Sequence, residues 1–161
     1  MKNLMLGLSF LLVPVFAAAN DAGDYDSCNR SIQLDLKPAT AAQEAAYAKI
    51  PAARKMIADS NASKKATPAQ AKLLSTLDEK LVKLGSDNDA IKKELQNYIG
   101  GSSALAKDEK AANGFAAMLK ACQGYSSKLP AIRGRANSNK LDVFDAYDSA
   151  SNLKALVFKN K

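Results

Sequence analysis

Apolar side chains recur at intervals of three and four over much of this 161-residue chain, a spacing that lines one side of an α-helix and does not suit the alternating faces of a strand. Leu73, Leu74, Leu77, Leu81 and Leu84 follow Thr67-Pro68-Ala69-Gln70, where threonine can cap a helix and proline occupies the first position, whose N–H is not needed. Ile91, Leu95, Tyr98 and Ile99 make a second stripe, and Phe115, Met118, Leu119, Cys122 and Tyr125 a third. Leu141, Phe144, Tyr147, Leu153 and Leu156 make a fourth. Upstream, Cys28, Ile32 and Leu36 suit a short helix, and Thr40 can cap another bearing Tyr47, Ile50 and Ile57. Abundant alanine, few aromatics and no tryptophan favour closely packed helices over sheets.

Helix breakers divide these stripes. Gly85 and Gly100-Gly101 predict two stops, with Ser86 or Asp87 capping the helix between them. Pro51 predicts a kink, and Asn61 to Ala66 a polar, lysine-bearing loop. Pro130, Gly134 and Asn137 predict a break containing Arg133 and Arg135, with the last helix starting near Ser138. The expected fold is all-α, a single-domain bundle of five or six helices with one disulfide.

Residues 1–19 have the three-part layout of an export signal: Lys2, an apolar run from Leu4 to Phe16, then Ala17-Ala18-Ala19. The run falls short of the roughly 20 apolar residues that cross a bilayer, and Asn20, Asp21, Asp24 and Asp26 follow it. Cleavage near Ala19 would leave residues 20–161 as the mature helical domain. Its expected location is periplasmic or secreted, in a bacterium, and it would not be membrane-embedded. No cysteine follows the alanines directly, as a lipid anchor would require.

In an oxidising compartment the only two cysteines, Cys28 and Cys122, are expected to pair. Closing a loop of roughly 90 residues removes denatured-state entropy worth on the order of 4 kcal/mol in the chain-entropy model. There is no Cys-x-x-Cys to suggest redox catalysis.

Histidine is absent from the chain, which removes the commonest general base, zinc ligand and haem ligand. Dinucleotide-binding and phosphate-binding glycine loops and the Gly-x-Ser-x-Gly nucleophile turn are missing as well. Neither cofactor nor metal is expected. Carboxylate chemistry remains open through Glu44, Glu79, Glu94 and Glu109, each set in a polar or lysine-rich stretch where solvated ion pairing is the simpler role. Asp142, Asp145 and Asp148 recur every three residues as a drifting acidic stripe, without the ligand spacing of a calcium loop.

Without Lys2, the 23 basic residues become 22 against 16 acidic ones, a net charge of +6 that favours anionic partners. Candidate contacts for such a partner are Lys64, Lys65, Lys92, Lys93, Arg133 and Arg135. The basic residues are scattered, with few aromatics among them, so nucleic acid is not the expected partner.

Ala39-Thr40-Ala41-Ala42-Gln43 and Ala66-Thr67-Pro68-Ala69-Gln70 share Thr-x-x-Gln, the helix capping box. Over these ten residues the pattern also resembles a signature of small helical periplasmic chaperones, although here the copies lie closer together and lack a preceding leucine. The capping box accounts for both copies. The expected function is therefore non-enzymatic: a helical binding protein of the envelope or exterior with a chaperone-like, inhibitor or immunity, or envelope-assembly role. Its expected partner is another protein, or else an anionic cell-surface polymer. A carboxylate-dependent hydrolase of cell-wall polysaccharide is the alternative.

Overall fold

The structure, a computed structural model, describes residues 13–107 and 115–159, with side chains described from 23 to 99 and from 118 to 159. It is all-helical over these residues: α1 (Val13–Ala62), α2 (Pro68–Lys107), α3 (Phe115–Ser126) and α4 (Leu129–Lys159). The expected five or six helices are thus four among the described residues, because most of the anticipated breaks do not break.

α1 runs 50 residues through Pro38 and Pro51 and absorbs the start expected at Thr40. Both prolines are exposed. The carbonyls they deprive of a helical partner belong to Leu34 and Tyr47, also exposed residues, so water can replace the lost bonds. α2 runs through Gly85 and Gly100-Gly101, so no new helix begins at Ser86 or Asp87. A helical glycine costs about 1 kcal/mol relative to alanine, which packing of Leu74, Leu81, Leu84, Ile91 and Leu95 along one stripe outweighs. A Cβ at Gly85 would stand 4.0 Å from Ile50 Cδ1 of α1, ordinary van der Waals contact.

α4 begins at Leu129, not near Ser138. Pro130 falls in its first turn, where a missing N–H costs nothing, and Gly134 and Asn137 sit on its exposed side. A turn at residues 127–128 separates α3 from α4, and the break expected at Asn61 to Ala66 is present as the α1–α2 turn at residues 63–67. Thr67 closes it as a capping box: Gln70 N–H donates to Thr67 Oγ1 (3.3 Å) and Thr67 N–H donates to Gln70 Oε1 (2.9 Å). Thr40, with the same pattern, lies inside α1 and caps nothing.

Cross-helix partners set the register. Cys28–Cys122, Asp35–Arg133 and Asp59–Lys154 are separated by 94, 98 and 95 residues, so α3 and α4 follow one another parallel to α1. Antiparallel to it, α2 places Asp78 on Arg54 and Lys92 over Tyr47. The result is a slender bundle with three legs: α1, α2, and α3 stacked on α4. Cys28 and Cys122 are joined as expected, with Cα atoms 6.2 Å apart.

Residues 1–12 of the expected signal lie outside the described residues, and Val13 to Ala19 open α1. Among the described residues the first buried side chain is Tyr25, so cleavage after Ala19 removes none of the described core. No described helix is long and apolar enough to cross a membrane.

Candidate functional site

The core is divided into two clusters. One gathers Tyr25, Ile32, Leu36, Ile91, Leu95, Met118, Cys122, Leu129 and Ile132 around the disulfide. The other gathers Ala46, Ala53, Ile57, Leu74, Leu81, Val143, Ala146, Ala150 and Val157 toward the α1–α2 turn.

Between them each long helix contributes one buried carboxamide: Gln43 from α1 (5% exposed), Asn88 from α2 (1%) and Asn139 from α4 (6%). Gln43 and Asn139 are level by the α1–α4 register. Asn139 Nδ2 donates to the carbonyl of Leu84, one turn before Asn88, at 3.2 Å. Oδ1 of Asn139 and both Oδ1 and Nδ2 of Asn88 have no hydrogen-bond partner in the protein. Buried polar atoms left in that state cost about 1–3 kcal/mol each.

Over this polar layer, the groove between α2 and α4 opens into a cleft of about 260 Å³. Leu84 and Ile91 supply apolar walls, while Asp87, Ser138 and Asp142 give a rim of acceptors with Asn139 beneath. Arg135 also borders the cleft, but its guanidinium is bound in fork fashion to Glu94, with one of the two bonds at 3.0 Å. This bond holds the Glu94 carboxyl below the usual carboxylate range. Lys80 approaches Asp142 only to 4.0 Å. The cleft is the size of one large side chain, and its rim presents more acceptors than donors.

The residues expected to contact an anionic partner do not assemble into one patch. Lys64 and Lys65 lie at the α1–α2 turn, while Lys92 and Lys93 lie on α2, the former with its ammonium 5.4 Å from the Tyr47 ring. Arg133 and Arg135 lie on α4 instead of in the expected loop, because α4 starts nine residues before Ser138. Arg133 donates to Asp35 and Arg135 to Glu94, so each already has a carboxylate partner. Of the glutamates considered for acid catalysis, Glu44 and Glu79 are exposed and Glu109 lies outside the described residues. Glu94 is shifted in the direction opposite to that of a proton donor. Of the aspartate stripe, Asp142 turns into the cleft and Asp145 and Asp148 are exposed.

Sequence reading passed over Gln43, Asn88 and Asn139. Their signal was a polar residue on an apolar stripe: Leu84-Asn88-Ile91, Ala136-Asn139-Val143 and Ala39-Gln43-Ala46 all keep the three-and-four spacing. No family model, curated protein or solved structure matches this chain.

Proposed function

We propose that the chain is an exported, non-enzymatic binding protein of a bacterial envelope that captures another protein through the α2–α4 cleft. The observation that carries this reading is the convergence of Asp87, Ser138 and Asp142 around the apolar walls of Leu84 and Ile91. Such a cleft suits a partner side chain that combines an apolar stem with a donor-rich head, as lysine and arginine do. Lysine or arginine on a partner loop or helix would bury its stem on Leu84 and Ile91 and give its head to the two carboxylates. The layout of residues 1–19 supports export, and the Cys28–Cys122 pair suits an oxidising compartment.

Site-specific photocrosslinking tests the reading. A benzophenone side chain at Ser138 in the cell-expressed protein is expected to give a discrete adduct with another protein. The adduct should be lost in the Asp87→Lys/Asp142→Lys variant and should not form from Ala52 on the exposed side of α1. Equal adducts from both positions, or survival in the charge-reversed variant, would remove the cleft from the proposal. Mass spectrometry of the exported product should find Asn20 as the first residue.

A further inference from the structure

The +6 charge of residues 20–161 is not spread over the bundle. Residues 55–77 and 149–161 carry seven of the 22 basic side chains and one of the 16 acidic ones, so the rest of that chain holds fifteen of each and is neutral. The fold brings the described residues of these two segments, 55–77 and 149–159, to the same end. Val157 packs in one cluster with Ile57 and Leu74, and Lys154 Nζ donates to Asp59 at 3.0 Å, which sets the last turns of α4 beside the α1–α2 turn. The excess charge of the molecule is therefore a property of one tip.

That tip has two further features. Its single carboxylate, Asp59, is already bonded by Lys55 and Lys154, while Lys64, Lys65, Lys72 and Lys159 are exposed. Among them three large apolar side chains stand in solvent: Leu73 (56% exposed), Leu156 (51%) and Phe158 (45%). Lys64 also holds the left-handed backbone conformation (φ 55°) that ends α1, a position glycine fills with less strain. A basic rim around exposed leucine and phenylalanine is the composition of a surface that rests in the headgroup region of an anionic bilayer.

We propose that this tip docks the bundle end-on to anionic phospholipid, with lysine ammonium groups on headgroup phosphates and Leu73, Leu156 and Phe158 entering the interface. A soluble polyanion would use the lysines alone and give the three apolar side chains nothing, which is why a lipid surface is the better occupant. The proposal uses residues at the α1–α2 turn end of the second core cluster, away from the cleft, and stands apart from the protein-capture reading.

Vesicle co-sedimentation tests it, using the chain from Asn20 onward, which keeps every buried side chain described. Binding is expected to vesicles of phosphatidylglycerol and phosphatidylcholine, not to phosphatidylcholine alone, and to fall steeply between roughly 0.05 and 0.5 M salt, as screening passes from weak to strong. Lys64→Gln/Lys65→Gln should lower the partition coefficient about 25-fold, at roughly fivefold per lysine near a charged surface. Lys92→Gln/Lys93→Gln, an equal loss of charge elsewhere, should change it less than about twofold on the same basis. Leu156→Ser/Phe158→Ser should weaken vesicle binding while leaving binding to dextran sulfate unchanged. Circular dichroism of each variant should match the parent, since all six positions are exposed. Equal effects of the two lysine pairs, binding to neutral vesicles, or no effect of the serine variant would overturn the proposal. The last result, with retained dextran sulfate binding, would identify a polyanion contact in its place.

Discussion

The two ends of the bundle are held by different means. At the disulfide end, Cys28–Cys122 joins α1 to α3, Tyr98 and Tyr125 meet edge to face at 5.3 Å, and Arg133 and Arg135 tie α4 to Asp35 and Glu94 on the neighbouring legs. Residues at the other end have no covalent link. They rely on close approach at Ala46, Ala53, Ala146 and Ala150, on a side-chain cap at Thr67, and on ion pairs at Arg54–Asp78, at Asp59 with its two lysines and, at 4.0 Å, between Lys80 and Asp142. Charges are matched where the chain is cross-linked and left unmatched where it is not. One end therefore serves as the fastened base, while the other carries its exposed lysines at some cost in self-repulsion.

The largest test of this contrast is the disulfide. Cys28→Ser/Cys122→Ser should cost on the order of 4 kcal/mol in the chain-entropy model, and its effect should be uneven. Hydrogen exchange at α3 and at residues 25–39 of α1 should rise well before exchange at residues 46–60. A uniform rise along α1 would mean that the two clusters open as one unit and that the polar layer does not separate them.

Asn88→Leu sharpens the boundary itself. Leucine has nearly the shape of asparagine and removes both unpartnered atoms of Asn88, so a gain of about 1–2 kcal/mol is expected, read as a higher Tm and denaturant midpoint. A loss would show that the layer is satisfied in solution by bound water. The two Thr-x-x-Gln copies come next. Thr67→Ala should cost about 1 kcal/mol by removing a cap, whereas Thr40→Ala, in the interior of α1, should stay within about 0.5 kcal/mol of the parent in urea unfolding.

The smallest effect concerns the ion pairs of the fastened end. Because Arg135 lowers the folded-state pKa of Glu94, the pair contributes stability above the unfolded carboxyl value of about 4.3, and this is lost as pH falls through the lower folded value. The Glu94 side chain is 40% exposed, so screening limits the contribution to under about 1 kcal/mol. Glu94→Gln should be slightly less stable than the parent at pH 7 and equal to it near pH 2, measured by denaturant midpoint. A difference that persists at pH 2 would assign the effect to packing.

The stripes of Leu74, Leu81 and Leu84, of Ile91 and Leu95, and of Met118 and Cys122 were legible because helical periodicity is local: the residues that define it are three and four apart. The cysteine pairing was legible by count. Breaks were the poorly legible part, since Gly85, Pro51 and Gly134 carry a local cost of known sign, yet whether a helix absorbs it depends on what its far side buries. For the same reason Arg133 and Arg135, set among Pro130, Gly134 and Asn137, carry the local pattern of a loop although α4 runs through them.

By itself the sequence determined an all-helical chain, its apolar stripes, its one pair of cysteines and the absence of histidine chemistry, all properties of composition or short spacing. Only the tertiary structure decided that Gln43, Asn88 and Asn139 share one level, that Asp87 and Asp142 face one cleft, and that residues 55–77 and 149–159 form one basic tip. Each depends on the register between helices separated by tens of residues, and register is set by the sum of packing across the bundle, which no local pattern contains.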